Sequence, residues 1–156
     1  MDFLMLTLDW LRHHPEHTEQ LAEWLYQQFP YEFSEQSLLD WQAEFAAGQH
    51  NGDWEMLVAL DHDQLLGCAG LAKDDLPLRP ELGPWLACVY VRPQARGQGL
   101  AEQLVERICA TARERGHARL YLHTQDRADY YARRGWTLQE CFQAWGNPQH
   151  LMCRQL

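Results

Sequence analysis

The stretch of this chain best suited to chemistry is Val89-Tyr90-Val91-Arg92-Pro93-Gln94-Ala95-Arg96-Gly97-Gln98-Gly99-Leu100-Ala101. An apolar run ends there, a glycine-bearing turn follows, and a helical pattern begins. Glycines allow a tight turn and leave amide N–H groups uncovered. The start of a helix adds partial positive charge, so the turn can hold a phosphate or pyrophosphate. Two familiar phosphate loops are excluded. No Gly-Lys-Ser/Thr ends the segment, and Gly97-Gln98-Gly99 lacks the third glycine of the dinucleotide fingerprint, with no first βαβ unit starting here. With Arg96 in the turn and the Val-Tyr-Val strand before it, phosphate binding is favoured over a plain structural turn.

A second segment, Tyr130-Tyr131-Ala132-Arg133-Arg134-Gly135-Trp136, follows after an intervening apolar run. Alone it reads as an aromatic helix stripe with a terminal glycine and a core Trp. Behind the glycine turn it takes on more meaning, because the pair resembles the GCN5-related N-acetyltransferase (GNAT) superfamily, in a bacterial-type member. That family's motif A is Arg/Gln-x-x-Gly-x-Gly/Ala. Gln94-x-x-Gly97-x-Gly99 and Arg96-x-x-Gly99-x-Ala101 both fit, and the distance from Val91 and Pro93, which match its Val-x-Pro, selects the second. The resemblance is strong from residue 85 to 136 and weak before 54.

The resemblance implies a mixed, mostly antiparallel sheet flanked by helices, with acetyl-coenzyme A as acyl donor. It implies that Arg96 and the amides of Gly97, Gln98, Gly99, Leu100, Ala101 and Glu102 hold the pyrophosphate. Val89, Tyr90 and Val91 would line the pantetheine arm through their backbone. Tyr131 falls on the position that often protonates the departing thiolate. Thr124 stands where many members place a cofactor-touching Asn, and its hydroxyl could substitute. Thr124-x-Asp126 with Tyr131 is also similar to protein N-terminal acetyltransferases.

The implied reaction is transfer of an acetyl group to a primary amine, directly and through a tetrahedral intermediate. An alkylamine, with a pKa near about 10.4, reacts only as the free base, so a proton acceptor is needed. Backbone N–H near Val89 could stabilise the oxyanion. Many relatives place a Glu on the strand before motif A, but Trp85-Leu86-Ala87-Cys88-Val89-Tyr90-Val91 has none. His123, Glu81, Asp74, Asp75 and a water chain remain open as the base. No metal is required. His13 and His17 are close in sequence, but Pro15 lies between them and no third ligand is apparent.

The elements that must position these residues are legible from periodicity. Phe3 to Leu8 is a short apolar strand. Pro15 opens a helix that runs to about Gln28. Ser34 or Ser37 caps a second helix ending near Gly48. Trp54 to Leu60 and Leu65 to Ala72 form a hairpin, residues 73–84 a loop, and Trp85 to Val91 a strand buried on both faces. A helix over Gly99–Arg115, a strand over Ala118–Thr124, a short helix over Arg127–Arg134 and strands near 136–144 and 149–155 complete the order β-α-α-β-β-β-α-β-α-β-β, an α/β fold.

With 156 residues, 46% of them apolar, the chain suits a single domain, residues 1–156, with a real core. The start, MDFLMLTLDW, lacks a basic n-region, and no apolar run is long enough for a membrane helix. Five cysteines without a CxxC pair read as reduced thiols, so a cytoplasmic protein is expected. Residues 1–85 hold 16 acids against 3 bases and residues 86–156 hold 6 against 10. That split suggests two ligands of opposite charge, an anionic cofactor and a small cationic amine or peptide, with Glu32, Glu35, Asp74, Asp75 and Glu81 around the acceptor entrance. Nucleic acid and membrane are not expected as partners, and a homodimer is allowed. Alternatives are a protein or peptide N-terminal acetyltransferase, or a non-catalytic acetyl-CoA sensor, which need not keep Tyr131.

Overall fold

Residues 54–61 alternate in a way that serves two cores at once. Leu57 and Ala59 point to one side of the sheet, Met56, Val58 and Leu60 to the other, and all five are essentially inaccessible. A strand buried on both faces needs a layer on each side, and the chain supplies both. A computed structural model describes every residue except Met1, Asp2, Leu4 and Ser34. The elements are β1 (Leu6–Trp10), α1 (Thr18–Gln28), α2 (Leu38–Asn51), β2 (Trp54–Asp61), β3 (Gln64–Ala72), β4 (Trp85–Val91), α3 (Leu100–Glu114), β5 (Arg119–Thr124), α4 (Ala128–Ala132), β6 (Thr137–Ala144) and β7 (Asn147–Gln155). Seven strands form one sheet in the order β1-β2-β3-β4-β5-β7-β6, antiparallel except between β4 and β5.

On one face, α3 packs Leu100, Leu104, Val105, Ile108, Cys109 and Ala112 against β2, β3 and β4. On the other, α1 and α2 enclose Leu21, Leu25, Trp41 and Phe45 with Met56, Val58 and Cys68. Two buried polar groups tie this second layer down. Trp41 donates to Ala22 O at 2.9 Å. Gln49 accepts from Met56 N and donates to Phe45 O, each at 3.0 Å, so its burial leaves neither end of the amide unpaired.

The boundaries refine the sequence reading. The first strand lies at Leu6–Trp10 rather than Phe3–Leu8, because pairing with Leu57–Asp61 sets its span. Pro15–His17 forms a 3-10 turn, and α1 starts only at Thr18. Ser37 caps α2 by accepting from Asp40 N at 3.1 Å, while Ser34 lies outside the described residues. The helix runs on past Gly48, which sits against Trp54, and stops at Gly52. The last hairpin turns at Trp145-Gly146, so Pro148 lies within β7.

Candidate active site

The single parallel pair in the sheet is also where it opens. Trp85 opposite Tyr121 is the register pair joining β4 to β5. Beyond it lies a cavity of about 530 Å³, lined by Leu86–Val91 on β4 and Leu122–Thr124 on β5. Opposite this gap, the pairing of β4 with β3 shifts between Cys68 and Gly70, and Cys88 adopts a φ of 51°. A bulge of this kind bends a strand and re-aims its groups, here at the face of β4 that borders the cavity.

Beyond β4 the chain folds into the turn singled out by its glycines. Pro93–Ala95 makes a 3-10 turn, and Arg96 Nε donates to Val91 O at 2.7 Å, fastening the turn to the strand it leaves. Gly97 and Gly99 have φ of 81° and 76°, and a Cβ built on either meets no protein atom within 4 Å. The positive φ values, rather than crowding, call for glycine here. Gln103 N bonds to Gly99 O, so the amides of Leu100, Ala101 and Glu102 form the first turn of α3 and lack partners within the helix. Arg96, Gly97, Gly99, Leu100, Ala101 and Glu102 all line the cavity, whereas Gln98 does not.

Two cations unmarked in the sequence reading join this end. Arg127 and Arg134 line the cavity. Arg134 stacks over Tyr130 at 3.7 Å, donates to its carbonyl, and holds its buried Nε 3.8 Å from Glu102 Oε1, an ion pair longer than a hydrogen bond. Helix-start amides without helical partners, with two guanidinium groups beside them, suit a phosphate oxygen. The site therefore fits the pyrophosphate of coenzyme A on its own donors.

Tyr131 and Thr124 stand further along the same cavity. Tyr131 is 8% exposed and held edge-on between Tyr130 and Trp136. Burial pushes its hydroxyl well above the usual phenol range, so it stays protonated at neutral pH. Thr124 Oγ1 accepts from Arg127 N at 3.1 Å, which steadies the start of α4 and leaves the hydroxyl proton to be donated elsewhere.

The opposite end carries the groups that can handle an amine. His123 on β5, Asp75 from the β3–β4 loop and Glu32 from the 3-10 turn Pro30–Phe33 converge there, with side chains 7%, 10% and 19% exposed. His123 Nε2 lies 2.9 Å from Asp75 Oδ2 and 3.7 Å from Glu32 Oε1, without the alignment of a directed N–H bond to either. Burial, reinforced by the charge of Asp75 and only partly opposed by His123, pushes the Glu32 carboxyl up to about 7. Burial alone would lower His123, but Asp75 and then Glu32 outweigh it and raise the imidazole. Burial, with Asp75 and Glu32 adding to it, drives the Cys88 thiol well above its ordinary value. It therefore stays protonated and is a poor nucleophile. Glu32, Asp75 and His123 are also the set among the described residues whose donor atoms, all within 4.8 Å of one another, could converge on a metal ion.

Of the other groups considered from sequence, Asp74 and Glu81 line a separate depression with Glu55 and Arg115, and Glu81 pairs with Arg79 at 3.3 Å. Glu35 is exposed and lies outside the cavity lining. Neither Asp74 nor Glu81 lines the cavity that holds His123 and Asp75. His13 turns to Asp9 at 3.0 Å and His17 toward Glu16 at 4.0 Å, so the two do not form a common site. No spacing signal in the sequence marks Glu32, because it reaches His123 only through the fold.

A model of the acetyltransferase (GNAT) family matches residues 18–136. No curated protein matches the chain in sequence. Among solved structures, an aminoglycoside 6'-N-acetyltransferase complexed with coenzyme A is 18% identical, with a TM-score of 0.74 and 97% of each chain covered. An aminoglycoside 6'-acetyltransferase type Ii is 21% identical, with a TM-score of 0.72 and the same coverage. An acyl-CoA N-acyltransferase from Pseudomonas aeruginosa is 26% identical over 95% of this chain and 99% of its own, with a TM-score of 0.67.

Proposed function

This chain belongs to the GNAT acetyltransferase family, and on that footing we propose that it moves an acetyl group from acetyl-CoA directly to a primary amine delivered to Glu32, Asp75 and His123. The observation that carries the reading is a single cavity with phosphate-type donors at one end and a buried carboxylate–imidazole group at the other. Coenzyme A would lie along β4, its pyrophosphate on the amides from Gly97 to Glu102 with Arg134 alongside, and would present the thioester at the bulge of Cys88 and Val89.

The residues divide the remaining work. Asp75 and the ionised fraction of Glu32 attract the ammonium. Glu32, whose carboxyl lies near neutrality, takes up one of its protons within the coupled trio, in which Asp75 and Glu32 raise His123. The nitrogen lone pair then bonds to the acyl carbon, whose C=O becomes the oxyanion of a tetrahedral intermediate. The intermediate collapses with loss of the C–S bond, the sulfur leaves as a thiol with a proton from Tyr131, and the second proton shed by the nitrogen restores the tyrosine. Backbone N–H at the bulge faces the developing oxyanion. Tyr131, too weak an acid to give its proton away ahead of need, hydrogen-bonds the leaving sulfur and passes the proton as charge appears. A protonated Cys88 leaves no thiolate in the cavity for an acyl-enzyme, which supports direct transfer. None of these roles requires a metal.

Purified protein incubated with acetyl-CoA and a panel of amines, aminoglycosides and peptides tests the reading by release of free thiol. Turnover that needs an amine, persists in EDTA and falls in Asp75→Asn supports it. A protein that binds acetyl-CoA but turns over with none of the panel is the sensor instead.

A further inference from the structure

We propose that Glu32, Asp75 and His123 also form a Zn²⁺ site, and that the ion, seated where the amine would be, shuts the acceptor end; the second half rests on the reading above, the first does not. Three elements far apart in the chain supply the donors: the 3-10 turn Pro30–Phe33, the β3–β4 loop and β5. Their donor atoms all lie within 4.8 Å of one another. Zinc holds imidazole nitrogen and carboxylate oxygen at about 2.0–2.2 Å, which puts neighbouring donors about 3.3–3.6 Å apart in a tetrahedron. The gaps from His123 Nε2, 2.9 Å to Asp75 and 3.7 Å to Glu32, bracket that range.

Pairing within the group is incomplete without a cation. His123 Nε2 is buried without a hydrogen-bond partner, in a side chain 7% exposed. Two carboxylates face this one nitrogen, which has at most one hydrogen to offer. An ordinary His–Asp pair would account for Asp75 and leave Glu32 over. Among the described residues neither carboxylate has an ion-pair partner besides His123. Burial makes unmatched negative charge unfavourable. A protonated imidazole matches one carboxylate, whereas a dication on the neutral imidazole matches both.

The donor set selects the metal. Imidazole with two carboxylates suits Zn²⁺ rather than Mg²⁺ or Ca²⁺, which take oxygen ligands. All three residues line the main cavity, so three protein ligands leave a fourth position open to it. Cys88 lines the same cavity but is not among the converging donors. A bound ion would tie the turn, the loop and β5 together and stabilise the folded chain. It would also occupy the carboxylates and the imidazole that the amine needs, while leaving the turn from Gly97 to Glu102 free for the cofactor.

Untagged protein, stripped with EDTA and dialysed, is titrated with ZnCl₂ by calorimetry while its melting temperature is followed. One ion should bind per chain and raise the melting temperature, and excess MgCl₂ should not displace it. His123→Gln and Asp75→Asn should each weaken binding at least about 100-fold, no less than losing a residue that merely orients a ligand. Asn keeps the shape of Asp, so that variant separates lost binding from misfolding. His13→Ala, in the surface group with Asp9, should bind zinc as the wild type does. In turnover assays zinc should raise the KM for an accepted amine, leave the KM for acetyl-CoA unchanged, and be reversed by EDTA. Acetylated amine is read there by mass spectrometry, because zinc captures released thiol. Zinc affinity unchanged in His123→Gln and Asp75→Asn, or tighter binding of Mg²⁺, overturns the site. Zinc bound there with the amine KM unchanged overturns the blocking. Binding that depends on His123 and Asp75 in a protein that acetylates no amine sustains the site and overturns the enzymatic reading instead.

Discussion

His123 Nε2 and Asp75 Oδ2 stand 2.9 Å apart, one at the end of β5 and the other in the loop that leads to β4. Both line the cavity that opens between those strands, where the proposed reaction brings amine and thioester together. Losing either partner should damage acetyl transfer more than cofactor binding. Asp75→Asn is expected to lower kcat/KM for the amine by about 10²-fold, in the range of a lost proton-transfer group, with acetyl-CoA affinity unchanged by calorimetry. Asp74→Asn should be silent. The wild-type kcat/KM should also fall as salt shortens the Debye length from about 10 Å at 0.1 M to about 3 Å at 1 M, and Asp75→Asn should flatten that slope. An Asp74→Asn effect as large as that of Asp75→Asn would contradict the assignment.

Glu32 gives a prediction about pH. Its carboxyl titrates near 7 in the folded chain against 4.5 ordinarily, so folding favours the protonated form. Its stabilising contribution is complete below about pH 4.5 and is lost as pH rises through about 7. Glu32→Gln does not titrate, so relative to wild type it should gain about 2–3 kcal/mol between those limits. Urea unfolding of both proteins at pH 5 and pH 8 measures the difference. A gap that does not change with pH would mean that Glu32 is ionised in the fold. In the same range, wild-type kcat/KM should climb with a midpoint near 7, and Glu32→Gln should remove that limb.

Much of this site was legible in the residues. Gly97 and Gly99 with the Val-x-Pro strand marked the turn between β4 and α3, because a turn's demand for positive φ is local and shows as glycine. The strands at 54–60, 65–72 and 85–91 followed from apolar patterning for the same reason. The acceptor end was less readable. Asp74 and Asp75 are adjacent in sequence, yet only Asp75 reaches His123, since neighbouring side chains in an extended loop diverge. Glu32 and Arg134 carry no spacing signal, because their partners lie on other elements. Trp145 fell between the last two strands as read from sequence, and its positive φ shows only in the fold.

Gly99→Asp tests the phosphate turn. The space around Gly99 is open on the protein side, so packing alone would tolerate a side chain. The penalties are a left-handed backbone, about 1–2 kcal/mol for a residue with Cβ, and a carboxylate aimed at the phosphates. Acetyl-CoA should bind at least tenfold more weakly in calorimetry. Equal affinity would place the pyrophosphate elsewhere.

Tyr131→Phe separates proton donation from packing. Phe keeps the edge-on contacts with Tyr130 and Trp136, so the melting temperature should hold. Steady-state kinetics should show kcat falling about 10²-fold with little change in KM for acetyl-CoA. A drop below about threefold would assign protonation of the sulfur to water.

The most direct test of the account is the stoichiometry of the reaction itself. With the amine that the panel shows to be accepted in excess and acetyl-CoA limiting, free thiol and N-acetylated amine, read by mass spectrometry, should appear one for one, and Asp75→Asn and Tyr131→Phe should slow both together. Thiol released without acetylated amine, or acetyl label found on Cys88, would contradict direct transfer to an amine held by Glu32, Asp75 and His123.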